Sequence, residues 1–79
     1  MNVKVKLFAS AREQAGVDSI ELVVVSEARV QDLLKAVKEA YPHLAIVPGR
    51  WAVNLDFASL DDPVHEQDDV AFIPPVSGG

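Results

Sequence analysis

The chain has 79 residues, no cysteine, seven Lys plus Arg against twelve Asp plus Glu, and a net charge of −5. That length allows one small domain with a modest core, and with His43 and His65 as the only imidazoles, neither a disulfide nor a zinc site staples it. The acidic balance excludes nucleic acid and an anionic membrane as main partners, and the missing thiol excludes a cysteine nucleophile or a persulfide carried on a side chain. The opening Met-Asn-Val-Lys-Val-Lys alternates like a strand and does not read as a leader, and no apolar run approaches the roughly 20 residues that span a bilayer. A cytoplasmic protein is expected.

Val3, Val5 and Leu7 alternate with Asn2, Lys4 and Lys6, which predicts a half-buried strand. Phe8 falls out of phase, on the lysine face. Residues 10–15 predict a short helix, with Gly16 as its stop. The β-branched run 20–25 predicts a second strand, paired with the first as a wide hairpin. Val30, Leu33, Leu34, Val37, Ala40 and Tyr41 form one apolar helical stripe that Pro42 ends. Arg29 stands where a Ser, Thr or Asp cap is expected, Asp32 suits the positive end of the helix dipole, and Ser26 offers an earlier, frayed start. Beyond a loop with Pro48 and Gly49, residues 51–55 read as a third strand, Asn54-Leu55-Asp56 as turn residues, and 57–60 as a short fourth strand. The acidic stretches 61–63 and 66–69 are turn material, and 70–73 is the last strand, stopped by Pro74-Pro75. The order predicts an α+β domain over residues 1–75, in which about five mixed strands wrap one main helix. With the first and last strands adjacent at the centre it is a β-grasp, or ubiquitin-like, fold; a ferredoxin-like relative lacking its second helix also fits the pattern.

The ending carries the chemistry. Pro74-Pro75 stiffens the exit from the last strand, and Val76, Ser77, Gly78 and Gly79 follow, read as a flexible tail over residues 76–79. Two residues without side chains pass a tunnel where a Cβ would clash. An ionised terminal carboxylate is a nucleophile toward the α-phosphate of ATP, and the acyl-adenylate so formed is open to a sulfur or amine nucleophile. No glycine loop cradles phosphate here, so ATP chemistry is expected in a partner's site.

In chain order, Val5-Lys6-Leu7-Phe8-Ala9, Ala11-Arg12-Glu13 with Gly16, Ala52-Val53-Asn54 and the ending 68–79 resemble the molybdopterin synthase small subunit (MoaD) family of ubiquitin-like sulfur carriers. The ending is the specific part: an acidic turn, an apolar strand, then Pro74-Pro75-Val76-Ser77-Gly78-Gly79. Gln67 stands where the family usually has Gly, and Arg29 replaces the usual cap. Both departures bear on local turn geometry.

The resemblance implies a concrete role in molybdenum cofactor biosynthesis. An adenylating enzyme of the ubiquitin-activating type would use Mg-ATP on the Gly79 carboxylate, and sulfur from a sulfur-relay protein would convert it to a thiocarboxylate, with Gly78 as spacer. The tail, with Pro74, Pro75, Val76 and Ser77 contacting the partner, would enter the molybdopterin synthase large subunit and donate sulfur to cyclic pyranopterin monophosphate. The chain alone would bind no cofactor or metal and hold no active site of its own, working within a heterotetramer. Phe8, Phe57 and Ile73 match family positions that form an apolar docking patch for both partners. Arg12 reads either as a contact to a partner carboxylate or as a solvated arginine. Trp51 reads as core or strand surface, the acidic residues 61–69 as turns in preference to a metal site. Two alternative functions share the tail: a ubiquitin-like protein modifier, and a sulfur carrier for thiamine or tRNA thiolation.

Overall fold

A computed structural model of the chain describes residues 1–75. The elements are β1 (Asn2–Leu7), α1 (Ala9–Ala15), β2 (Ser19–Val23), α2 (Val30–Ala40), α3 (Pro42–Ala45), β3 (Arg50–Val53), β4 (Asp56–Phe57) and β5 (Val70–Ile73). The five strands form one sheet in the order β2-β1-β5-β3-β4. β1 and β5 run parallel at its centre and the other pairs are antiparallel. This is the expected β-grasp arrangement. The parallel pairing of first and last strands sets aside the ferredoxin-like alternative, in which neighbouring strands run antiparallel.

Alternation on β1 behaves as predicted: Val3, Val5 and Leu7 are buried, and Asn2, Lys4 and Lys6 are exposed. They meet Ile20 and Leu22 of β2 and Val30, Leu33 and Val37 of α2 in one core. α1 closes on Gly16, whose φ of 75° is a conformation open to glycine at little cost. β2 ends at Val23, not at residue 25; just past it the Met1 N–H₃⁺ and the Val24 N–H exchange hydrogen bonds with each other's carbonyls. Val25 is left in solvent.

α2 begins at Val30 with Arg29 as N-cap, and Ser26 lies in a turn ahead of it. No side chain caps the helix; the Val30 and Gln31 N–H groups instead donate to the carbonyls of Asp62 and Leu60, each at 2.9 Å, while Asp32 accepts from the Arg29 N–H at 2.8 Å. The loop that follows β4 therefore does the work of a capping residue. Ala40, assigned to the buried stripe, is exposed; it lies past the last residue of α2 that reaches the core. Pro42 ends α2 and opens α3, a single turn too short for any period in the sequence to show; proline is well tolerated at a first helical position, and Leu44 drops into the core.

β3 covers Arg50–Val53 and β4 only Asp56–Phe57, so the strands predicted at 51–55 and 57–60 are displaced. Asn54 and Leu55, with φ of 52° and 73°, make a tight two-residue hairpin between them. Val64, inside the acidic stretch, is 1% exposed, its N–H donating to the Ala28 carbonyl. Trp51 is core, edge-on to Phe72 at 5.2 Å between centroids. Among the described residues no helix is long and apolar enough to cross a membrane.

Candidate functional site

The cross-strand register places Lys6, Ala71, Ala52 and Phe57 in one row on the face of the sheet away from α2. Ala71 and Ala52 are small, so the row sinks at its middle. Around it rise Phe8 and Ile73, with Leu55 at the hairpin tip, enclosing a concavity of about 220 Å³. Ala52 is buried there although it takes no part in the main core. Phe8 and Phe57 are 45% and 56% exposed, while Ile73, expected to be exposed, is half-buried. Three residues far apart in sequence, Phe8, Phe57 and Ile73, thus meet on one surface. Aromatic anchors around an apolar floor are the usual centre of a protein interface.

Charge frames the concavity. Lys6 pairs with Asp69 at 3.3 Å on its rim, and the Arg50 guanidinium lies 3.8 Å from the centroid of the Phe57 ring. The cation holds that ring against Ala52, its partner across β3 and β4. Arg12 does not line this concavity; it sits exposed on α1, its carbonyl accepting from the Gly16 N–H.

Backbone strain gathers at the same place. Among the described residues the non-glycine positions with positive φ are Ala9, Asn54 and Leu55. Ala9 follows Phe8, and Asn54 precedes Leu55, so each is a lining residue or its neighbour. Asparagine tolerates this region; leucine does not, and Leu55 keeps it while 90% exposed. The hairpin is pinned from below by polar groups. The Asn54 N–H donates to the Asp69 carbonyl at 2.7 Å, the Asp69 N–H to Asn54 Oδ1 at 2.9 Å, and Asn54 Nδ2 to Asp68 Oδ1 at 3.0 Å. Asp68 Oδ2 also accepts from the His65 N–H at 2.8 Å. That backbone bond first, then the Asn54 amide, holds the Asp68 carboxyl below its ordinary range, with the nearby His65 ring adding to the effect. The acidic residues thus serve turns, as Asp62 does by accepting from the Ser59 N–H.

The exit of β5 adjoins the concavity. Ile73 pairs with Arg50, and Gly49, Arg50, Phe57, Ile73, Pro74 and Pro75 enclose a second hollow beside it. Pro74 is buried and Pro75 exposed. A Cβ on Gly49 would stand 2.6 Å from Phe72 Cζ and 2.9 Å from the Ile73 carbonyl oxygen, so only glycine lets the chain pass this close to the end of β5. Val76, Ser77, Gly78 and Gly79, assigned to partner contact and sulfur chemistry, lie outside the described residues. The sequence reading missed Leu55, Lys6, Ala52, Ala71 and Asp69. Period-two alternation from Ile73 carries the signal for Ala71; Leu55 carries none, since its place depends on the hairpin.

A family model described as the ThiS family matches residues 5–79. The molybdopterin synthase sulfur carrier subunit of Chlamydomonas reinhardtii is 36% identical, each chain covered in full. The crystal structure of SAMP1, the small archaeal modifier protein 1, from Haloferax volcanii is 31% identical with a TM-score of 0.87 and full coverage of both chains. A putative molybdopterin converting factor subunit 1 from Pyrococcus furiosus is 32% identical over 96% of this chain and 99% of that one, with a TM-score of 0.84.

Proposed function

The chain belongs to the ThiS family and groups with molybdopterin synthase sulfur carrier subunits, and from that premise we propose that it carries sulfur to a molybdopterin synthase large subunit in molybdenum cofactor biosynthesis. The observation that bears most weight is the adjacency of docking face and tail exit. β5 sits between β1 and β3, and where it ends at Pro74-Pro75 the chain leaves beside Phe8, Phe57 and Ile73. A partner seated on that concavity takes up the four residues that follow without crossing the molecule.

On this reading the Gly79 carboxylate attacks the α-phosphate of Mg-ATP in an adenylating partner, and pyrophosphate leaves. The outer sulfur of a relay protein's persulfide then displaces AMP, and a second thiol cleaves the resulting acyl disulfide, leaving the C-terminus as a thiocarboxylate and the two relay sulfurs joined as a disulfide. In the large subunit that sulfur passes to the pyranopterin substrate. This chain's own residues dock and present: Phe8, Phe57 and Ile73 as apolar anchors, Pro74 and Pro75 as a stiff lead, Gly78 as the spacer. Reconstitution with a large subunit and pyranopterin precursor tests it. Protein bearing a chemically made thiocarboxylate is expected to yield product and the carboxylate form none; equal activity sinks the mechanism.

A second reading, attachment through Gly79 to lysines of other proteins, is favoured by the likeness to the Haloferax modifier protein. The same acyl-adenylate serves both, since an amine attacks where sulfur does. A branched peptide joining Gly79 to a target lysine, found by mass spectrometry in cells expressing the chain, would establish this activity; the last Lys or Arg before the tail is Arg50, so digestion at basic residues leaves residues 51–79 on that lysine.

A further inference from the structure

We propose that the free edge of β2, together with the neighbouring flank of α2, is a second docking groove, built for an extended segment of a partner protein that is apolar at alternate positions and flanked by Lys or Arg. The backbone defines the first half of that description. Met1 and Val24 exchange hydrogen bonds, and the Leu7 N–H donates to Asp18, so the bonded pairs between β1 and β2 fall at Val24, Leu22, Ile20 and Asp18. The alternate residues Ser19, Glu21 and Val23 therefore turn their N–H and C=O groups away from the sheet. β2 is the terminal strand on that side, so those groups have no strand to meet. Such a row is left to water or to an added extended chain, which pairs with it bond for bond.

Two hollows run along this edge, of about 420 and 290 Å³, sharing Val23, Ala36 and Glu39. Their floor on the helix side is Ala36 and Ala40, one turn apart, which leaves room for branched side chains from an added strand. Val23 and Val25 stand 78% and 65% exposed at the end of the edge. The opposite edge of the sheet is treated differently: β4 has two residues, and Arg50 covers its Phe57. Edges not meant for pairing are shortened, bulged or given lysine or proline. β2 has five residues with no bulge, lysine or proline, and its one charged side chain is Glu21.

Charge selects the occupant. Glu21, Asp32 and Glu39 line the hollows against Lys35 alone, with Lys4 across from Glu21 on β1. The whole chain is also at −5. A second copy is a poor fit, because two-fold pairing centred on Glu21 sets that carboxylate against itself. Basic flanks on an apolar strand match both the sign and the shape. The groove borders the helix side of β2, whereas the concavity at Phe8 and Phe57 lies on the opposite face of β1, β5, β3 and β4, so one molecule can hold both partners.

The test titrates the full chain, followed by amide NMR, with the acetylated and amidated peptide Lys-Lys-Val-Ile-Val-Ile-Lys-Lys. Controls carry Glu for every Lys, or Pro for the second Val. The basic peptide is expected to shift Glu21, Val23, Ala36 and Glu39, and to slow exchange of the Ser19, Glu21 and Val23 amides. It should bind about tenfold tighter than the acidic control, less so as salt is added, with the proline control weakest. Glu21→Lys with Glu39→Lys should reverse the ranking of basic and acidic peptides. The proposal falls if shifts gather at Phe8 and Phe57 instead, if basic and acidic peptides bind alike, or if the proline control binds as well as its parent. It falls equally if the protein alone protects those amides in a concentration-dependent dimer, which would make a second copy the occupant.

Discussion

Along β1 and β5, alternate residues go to opposite faces of the sheet. Val3, Val5, Leu7 and Val70 pack under α2, while Lys6, Ala71 and Ile73 look the other way. The covered face is mostly aliphatic, with Trp51 and Phe72 at one end, and among the described residues no polar side chain is buried. The open face holds Phe8 and Phe57 in solvent, an ion pair, a guanidinium over a ring and backbone in left-handed conformations. The packed core lies on one side, and the exposed aromatic rings and left-handed backbone that a monomer has no need of lie on the other. That separation is what a carrier protein requires, since partners must exchange on one face without disturbing the fold. On the proposed docking role, substitutions on the open face should move binding more than stability.

The largest expected effect is on the covered face. Leu33→Ala should cost ~2–5 kcal/mol, because Leu33 is fully buried between helix and sheet, and denaturant unfolding would read it. Phe57→Ala should change stability by under ~1 kcal/mol yet weaken binding of the synthase large subunit by about 2 kcal/mol, as interface anchors do. Isothermal titration and unfolding on the same variant decide this. If Phe57→Ala unfolds the protein as Leu33→Ala does, the open face is a second core and the separation fails.

The two faces were also unequally legible in the sequence. Alternation at Val3, Val5 and Leu7 and the stripe at Val30, Leu33 and Val37 follow directly from strand and helix periods, so the covered face could be read off the chain. Phe8 falls out of phase with that core, whereas Phe57 and Ile73 join Phe8 in the docking patch through their match to family positions. Leu55 gives no such sign, since it enters the open face only through the hairpin at Asn54, and hairpin geometry follows from register between β3 and β4. Val64 and α3 were hidden for another reason. Acidic neighbours masked the first, and the second is a single turn, too short for any period to show. The starting end of α2 looked uncapped because its cap is tertiary, made by the Leu60 and Asp62 carbonyls.

Leu55 offers a sharper test than Phe57. A leucine in the left-handed region costs about 1 kcal/mol, and glycine would fill that place in a two-residue hairpin without strain. Leu55→Gly should therefore stabilise the fold by roughly 1 kcal/mol while reducing affinity for the large subunit. A thermal melt gives the first number and a binding titration the second. A gain in stability with unchanged affinity would remove Leu55 from the docking surface.

The smallest effect concerns the polar network beneath that hairpin. The His65 N–H and the Asn54 amide favour ionised Asp68, so its carboxyl titrates lower in the folded chain than in the unfolded one. The unfolded state then binds more protons over that interval, and stability falls with falling pH. The contribution is present above the ordinary carboxylate range, near pH 4, and is lost as pH drops through the folded value. Because the network holds Asn54 and Asp69, acid should loosen the open face first: protection of the Asn54 and Asp69 amides, corrected for the intrinsic exchange rate at each pH, should fall below about pH 4 before that of Leu33. Asp68→Asn keeps the size of the side chain but cannot titrate, so its stability should vary less between about pH 5 and 2 than that of the parent, with a slight loss at pH 7. Equal acid slopes for the two proteins would show that Asp68 does not couple the open face to pH, and the early loosening would then need another carboxylate to explain it.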